Sequence, residues 1–275
     1  MIPRANITAW RAVAPWPTDA QVEQDLVICR ALVELYSRPS IASAMVFRGG
    51  TALHKLLLPT PGRYSEDIDL VQVAAGPIGP ALDAIREVLD PWLGEPSRKR
   101  TEEGATLVYR FASSGLPAQA MRLKVEINTR EHGSVRARVH RELRVSNPWF
   151  SGAAAIATYS DEELLGTKLR ALYQRKKGRD LFDLWQALKT LEVDDGGIIA
   201  VFGEYLERDR LRVTRAQFER NLAQKEGMPE FHGDVLPLLA TATSYAPNDA
   251  FALVRRRLIE RLPGKPWRTN KAGES

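Results

Sequence analysis

A single cysteine, Cys29, stands among 275 residues, so no disulfide forms within the chain and no cysteine-built zinc site is available. Cys29 sits in the apolar helical pattern Asp25 to Leu32, which reads it as a small buried core residue. Histidine is almost as scarce: His54, His132, His140 and His232 are scattered, without metal-ligand spacing. No stretch approaches the roughly 18 uncharged apolar residues of a spanning helix, so no membrane partner is expected. The start, Met1-Ile2-Pro3-Arg4, lacks the long apolar core of a signal peptide. The expected location is therefore the cytoplasm. Internal repeats and low-complexity segments are absent as well.

What is present is an ordinary globular composition. Apolar residues make up 44% and charged residues 27%, too dense in charge for a membrane protein and too balanced for a disordered one. The length allows one large domain or two small ones, since domains run about 100–200 residues. A net charge of +5 and a pI near 9.4 favour anionic partners such as nucleic acid or nucleotides.

The pattern of elements changes along the chain. Residues 18–36 read as a helix, capped by Thr18 or Asp19. Residues 44–47 read as a buried strand entering the turn Arg48-Gly49-Gly50. A short helix over 51–58, stopped by Pro59, leads through a loop to a second strand over 65–73. A helix over 79–93 and strands near 106–111 and 122–128 follow. Beyond Pro148 the signal is helical: a long stretch over 161–191 broken near Gly178, then 197–208, 215–224 and 249–262, with a loose polar tail from Pro263 to Ser275. The expected class is α+β. A small four-stranded mixed sheet with flanking helices occupies residues 1–150, and a mostly helical half occupies 151–275.

The chemistry concentrates in Phe47-Arg48-Gly49-Gly50-Thr51-Ala52-Leu53-His54-Lys55 and Arg63-Tyr64-Ser65-Glu66-Asp67-Ile68-Asp69-Leu70. Strand residues two apart share a face, so Asp67 and Asp69 project together. Two carboxylates that close repel and call for a cation. Mg²⁺, or Mn²⁺, suits such a pair, because it binds through one or two carboxylates, waters and substrate phosphates. Gly49 and Gly50 let the backbone approach a phosphate. The helix starting near Thr51 offers unpaired N–H groups, and the Thr51 hydroxyl adds a donor. Asp-x-Asp alone is commonly a surface pair and Gly-Gly commonly a plain turn. In this order, one short helix apart, they describe a triphosphate site beside a metal site.

These two segments resemble the first motif of the AbiEii/AbiGii toxin family, which includes the MenT toxins and belongs to the DNA polymerase beta-like nucleotidyltransferase superfamily. A second match lies downstream, in Glu163 to Leu172 and Arg175 to Leu184, which are similar to the family's lysine helix and its Arg-Asp-x-x-Asp-Leu element. Order and spacing agree over roughly residues 40–190. The resemblance implies a nucleotidyltransferase fold, with the helical half contributing Lys168 and Asp183 to the site. By helical spacing alone, Lys168 borders an apolar face and is either a snorkelling surface lysine or a triphosphate contact. Asp180 and Asp183 share a face and are either ion-pair partners of Arg175 or Arg179, or site residues. The resemblance favours the site for Lys168 and Asp183, and Asp180 reads as structural.

The superfamily also leads one to expect a third strand carboxylate. Glu126 alternates with Val125 and Ile127 and is either that acid, or the general base on the acceptor hydroxyl, or an exposed strand residue. Ser65, two residues before Asp67, is implied as a regulatory phosphorylation point, with a plain strand-start hydroxyl as the alternative. The clusters Arg175-Lys176-Lys177 and Arg255-Arg256-Arg257 are candidate RNA contacts or solvated helix ends. The implied function is a metal-dependent enzyme of a toxin–antitoxin system. It would move NMP from an NTP to the acceptor end of tRNA and block translation, with an antitoxin encoded nearby as partner. The alternatives are the same chemistry on a small molecule such as an antibiotic, or on a protein side chain, and a binding module with a decayed site.

Overall fold

The computed structural model describes residues 2–268, so the expectation for the tail falls, past Arg268, outside the described residues. Contacts divide the chain into two compact units, Met1–Ser160 with Leu238–Thr243 and Asp161–Pro237 with Ser244–Ser275. Among the described residues no helix is long and apolar enough to cross a membrane.

The first unit is a mixed sheet covered by helices. Its helices are α1 (Arg4–Trp10), α2 (Asp19–Tyr36), α3 (Pro39–Ala44), α4 (Gly49–Ala52) and α5 (Gly79–Leu93). Its strands are β1 (Met45–Arg48), β2 (Asp67–Gln72), β3 (Ser97–Thr101), β4 (Gly104–Ala112), β5 (Ala120–Asn128), β6 (Val139–Asn147) and β7 (Phe150–Thr158). All seven join one sheet in the order β3-β4-β5-β2-β1-β7-β6. The β2–β5 and β1–β7 pairs are parallel and the other four antiparallel.

Three strands exceed the expected four, each for a physical reason. β3 reads Ser-Arg-Lys-Arg-Thr, has no apolar residue and is exposed throughout. β7 is rich in alanine, which has little intrinsic preference for strands. β6 pairs along the whole of β7, and Phe47 of β1 meets Thr158. Residues 150–158 thus belong to the sheet, and the first unit runs through Ser160 and takes in Leu238–Thr243.

The sheet has a covered face and an open one. Ile68, Leu70, Leu107, Tyr109, Leu123, Val125 and Ile127 are buried and alternate with polar neighbours. α2 packs on β5, β6 and β7, and α5 on β4. α2 starts with a capping box between Thr18 and Gln21. Its buried Asp25 accepts hydrogen bonds from Trp10 Nε1 at 2.8 Å and Trp16 Nε1 at 2.9 Å and pairs with Lys55. Cys29 is buried beside Asp25, and desolvation pushes its thiol up to about 12.

The second unit is helical: α6 (Asp161–Gln174), α7 (Gly178–Thr190), α8 (Asp195–Arg208), α9 (Arg215–Glu226), α10 (Pro229–Gly233) and α11 (Pro247–Arg257). α7 starts at Gly178, where a Cβ would lie 2.0 Å from the Phe231 carbonyl oxygen. The end of α6 is closed by Lys225, which is buried and donates to the Leu172 carbonyl and, at 3.1 Å, to that of Tyr173. Burial lowers the Lys225 ammonium to about 8.

Candidate active site

β1 ends at Arg48, and the chain turns at Gly49 with φ +83° into α4, which runs on as a π-helical turn over Leu53–Leu57. Antiparallel pairing sets Arg48 opposite Asp69. A Cβ on Gly49 would stand 2.2 Å from Asp69 Oδ2, so both backbone angle and space demand glycine here.

Thr51 is buried, and its Oγ1 lies 2.5 Å from the Asp67 carbonyl oxygen and 2.8 Å from Ser65 Oγ. That hydroxyl has one proton, and both neighbours are internal. Thr51 therefore fastens α4 to the start of β2. Its hydroxyl is engaged by both of these neighbours. Lys55, in the same motif, is likewise consumed by Asp25. Ser65 is half-buried and precedes β2, which begins at Asp67. The loop before it is held by hydrogen bonds from Tyr64 N to Leu238 O at 2.7 Å and from Ala240 N to Gly62 O at 2.9 Å.

Asp67 and Asp69 are half-buried on the open face of β2. Parallel pairing sets Lys124 beside Asp67 and Glu126 beside Asp69. Burial first, then the charge of Asp69, pushes the Asp67 carboxyl up to about 6, with Lys124 opposing and Glu66 and Glu126 adding. Lys124 Nζ lies 2.7 Å from Glu126. Burial lowers the Lys124 ammonium, but the Glu126 hydrogen bond and the fields of Asp67 and Asp69 outweigh it and raise it. Arg48 pairs with Glu131 and also feels Asp69. A cleft beside Asp69 and Glu126 extends to Thr101, Gly104 and Asn128. Among the described residues, no group of three or more His, Cys, Asp or Glu side chains is arranged to hold a metal.

In the second unit, Lys168 is buried rather than snorkelling. Its Nζ lies 2.8 Å from Asp183 Oδ2 and 3.4 Å from Asp180 Oδ1, and both aspartates have no exposed side-chain surface. Arg175 grips Asp180 with two hydrogen bonds of 2.6 and 2.7 Å. The basic clusters are largely used up internally. Lys177 lies 3.3 Å from Asp234, Arg255 lies 3.3 Å from Glu226, and Arg257 binds Asp195 at 2.5 Å.

The sequence reading passed over Lys124 and Arg48. Lys124 was legible in principle: it is two residues before Glu126 on a cleanly alternating strand, so it shares that face. Arg48 becomes visible only through the β1–β2 register.

Of solved structures, MenT4, a nucleotidyltransferase toxin from Mycobacterium tuberculosis H37Rv, superposes with a TM-score of 0.62 at 18% identity, over 96% of this chain and 91% of that one. A nucleotidyltransferase-like antigenic protein from Paracoccidioides brasiliensis gives a TM-score of 0.44 at 15% identity, over 80% and 93%. No curated protein sequence matches the chain. The profile of the nucleotidyl transferase AbiEii toxins of type IV toxin–antitoxin systems matches residues 30–254. With a nucleotidyltransferase fold and a family match over most of its length, this chain belongs to the AbiEii nucleotidyltransferase toxin family.

Proposed function

We propose that this nucleotidyltransferase moves NMP from an NTP to the acceptor end of tRNA and thereby blocks translation, with Asp67 and Asp69 as its metal-binding pair. The observation that carries the reading is the pair itself: two half-buried carboxylates share one face, and burial, then the charge of Asp69, pushes Asp67 up to about 6. An all-oxygen donor set of this kind fits Mg²⁺ or Mn²⁺. When bound, the metal supplies charge neutralisation on the transferring phosphorus and orientation of the triphosphate.

The chain's own groups have separate tasks. Glu126 accepts the proton of the attacking hydroxyl or completes the metal site, and Lys124 holds it in place. Gly49 keeps a side chain out of the space next to Asp69, and Gly50 lets the backbone approach a phosphate. The family resemblance assigns triphosphate contact to Lys168 and its orientation to Asp183, which lies 2.8 Å away, while Asp180 and Arg175 form the structural part of that network. The acceptor oxygen bonds to the α-phosphorus, the bond to the leaving pyrophosphate breaks, and the hydroxyl proton passes to the base. tRNA as acceptor is supported by the motif resemblance and the basic balance of the chain. The toxin–antitoxin family makes a cognate antitoxin the expected partner.

The test is incubation with each labelled NTP, Mg²⁺ and total cellular RNA, resolved on a gel. One labelled band of tRNA size is expected, absent for Asp69→Ala. Label on no RNA species overturns the acceptor.

A further inference from the structure

The open face of β3, β4 and β5 carries a basic grid that joins the carboxylate pair. Register places Lys99 of β3 beside Thr106 and that beside Glu126 and Asp69. The next row runs Ser97, Val108, Lys124, Asp67, and Arg110 pairs with Arg122 one row further on. Lys99, Arg110 and Arg122 are exposed, and Lys124 is half-buried. Such cations stand about 5 Å apart across neighbouring strands and about 7 Å apart along one strand. Their internal ties are slight: Arg110 donates to Ser97 Oγ at 2.7 Å and Arg122 lies 4.0 Å from exposed Glu66. Arg98, Lys99 and Arg100 make no ion pair among the described residues.

We infer that this face is the docking surface for the phosphates of the RNA acceptor, guiding its terminal hydroxyl to Asp67 and Asp69. The inference rests on the RNA reading above and deepens it. None of the large exposed apolar residues, such as Leu116, Leu236 or Trp267, lies on the face, so it lacks the aromatic and apolar anchors a protein partner needs. Repeated cations beside small residues suit a phosphate backbone instead. The acids repel phosphate, so the strand follows Arg110, Arg122 and Lys99, leaving the acidic corner to the metal and triphosphate. The contacts read no base, so recognition along this track is independent of sequence.

The test uses the full chain carrying Lys99→Ala, Arg110→Ala and Arg122→Ala together, with the exposed Arg220→Ala as control and thermal melts to confirm folding. Binding of unfractionated tRNA without NTP is followed by fluorescence anisotropy from 50 to 300 mM salt. The triple variant is expected to bind at least about tenfold more weakly at low salt, with the slope of log K against log salt smaller by about 2, since each phosphate contact on a single strand contributes about 0.7. The KM for NTP stays unchanged and the control binds as wild type. A dissociation constant and slope within twofold of wild type overturn the inference. Displacement of tRNA by polyglutamate at equal charge overturns the RNA assignment in favour of acidic protein. Wild-type protein that labels no RNA sinks the acceptor reading instead, and the binding comparison still decides the surface.

Discussion

The carboxylate of Asp69 fills the space that a side chain on Gly49 would need: a Cβ there would lie 2.2 Å from Oδ2 and 3.0 Å from Cγ. Gly49 also has φ +83°, an angle that costs other residues about 1–3 kcal/mol. Gly49→Ala is therefore expected to lower stability by about that amount and to swing Asp69 out of line with Asp67. Transfer should fall far more than melting temperature, by at least about a hundredfold. A melt and a labelled-NTP assay on the same sample check this, and a near-normal rate refutes the close-approach argument.

Asp67 gives a pH prediction. Its folded carboxyl is raised to about 6, above an ordinary aspartate near 3.9. A raised carboxyl contributes stability fully below about pH 4 and loses it as pH rises through 6, so ionised Asp67 burdens the metal-free fold at neutral pH. Asp67→Asn is expected to melt a few degrees higher than wild type at pH 7.5, a gain of about 1–2 kcal/mol, and to converge with it near pH 4. Added MgCl₂ should raise the wild-type melt more at pH 7.5 than at pH 5, where protons compete. Identical melts of both proteins from pH 4 to 8 contradict the assignment.

Lys168 lies between two aspartates without exposed surface, so its removal has two consequences. Breaking a buried pair costs about 3–5 kcal/mol. Lys168→Ala is expected to be markedly less stable as well as poor with NTP. Lys168→Arg keeps the charge and should restore most of the stability while KM for NTP stays raised, because a planar guanidinium does not replace a point charge on phosphate. Wild-type KM and kcat in folded Lys168→Ala remove the lysine from triphosphate binding and leave it a structural ion.

The elements that carry the site were legible because their signals are local. The capping box at Thr18, the strand entering Gly49 and the alternation around Ile68 and Leu70 each declare themselves within a few residues. What stayed hidden depends on pairing between distant segments. Lys99, Arg110 and Arg122 form no run in the chain, and only the β3–β4–β5 register unites them. The conspicuous runs at Arg175 and Arg255 turn out to be engaged largely with Asp180, Glu226 and Asp195. β3 and β7 escaped because one lacks apolar residues and the other is built mainly from alanine. The contacts of Thr51 with Ser65 and the Asp67 carbonyl likewise join segments 14 and 16 residues apart, which no local pattern reveals.

Ser65 sits where a phosphate would disturb the site by two routes. Its Oγ lies 2.8 Å from Thr51 Oγ1, which in turn lies 2.5 Å from the Asp67 carbonyl oxygen. Phosphorylation replaces that compact contact with a bulky group and strains the fastening between α4 and β2. It also brings about −1.5 to −2 charges two residues before a carboxyl already raised to about 6 by burial and Asp69. Both effects oppose an incoming triphosphate, so phosphorylated protein is expected to transfer nucleotide at least about a hundredfold more slowly. Ser65→Ala removes only one hydroxyl contact and should retain a large part of the activity. Ser65→Glu carries too little charge and the wrong shape to stand for phosphate, so a sample verified by intact mass, before and after phosphatase, is the decisive comparison. Recovery of activity with phosphatase is the expected result. A phosphorylated sample that transfers at the normal rate makes Ser65 a plain loop residue with no regulatory part.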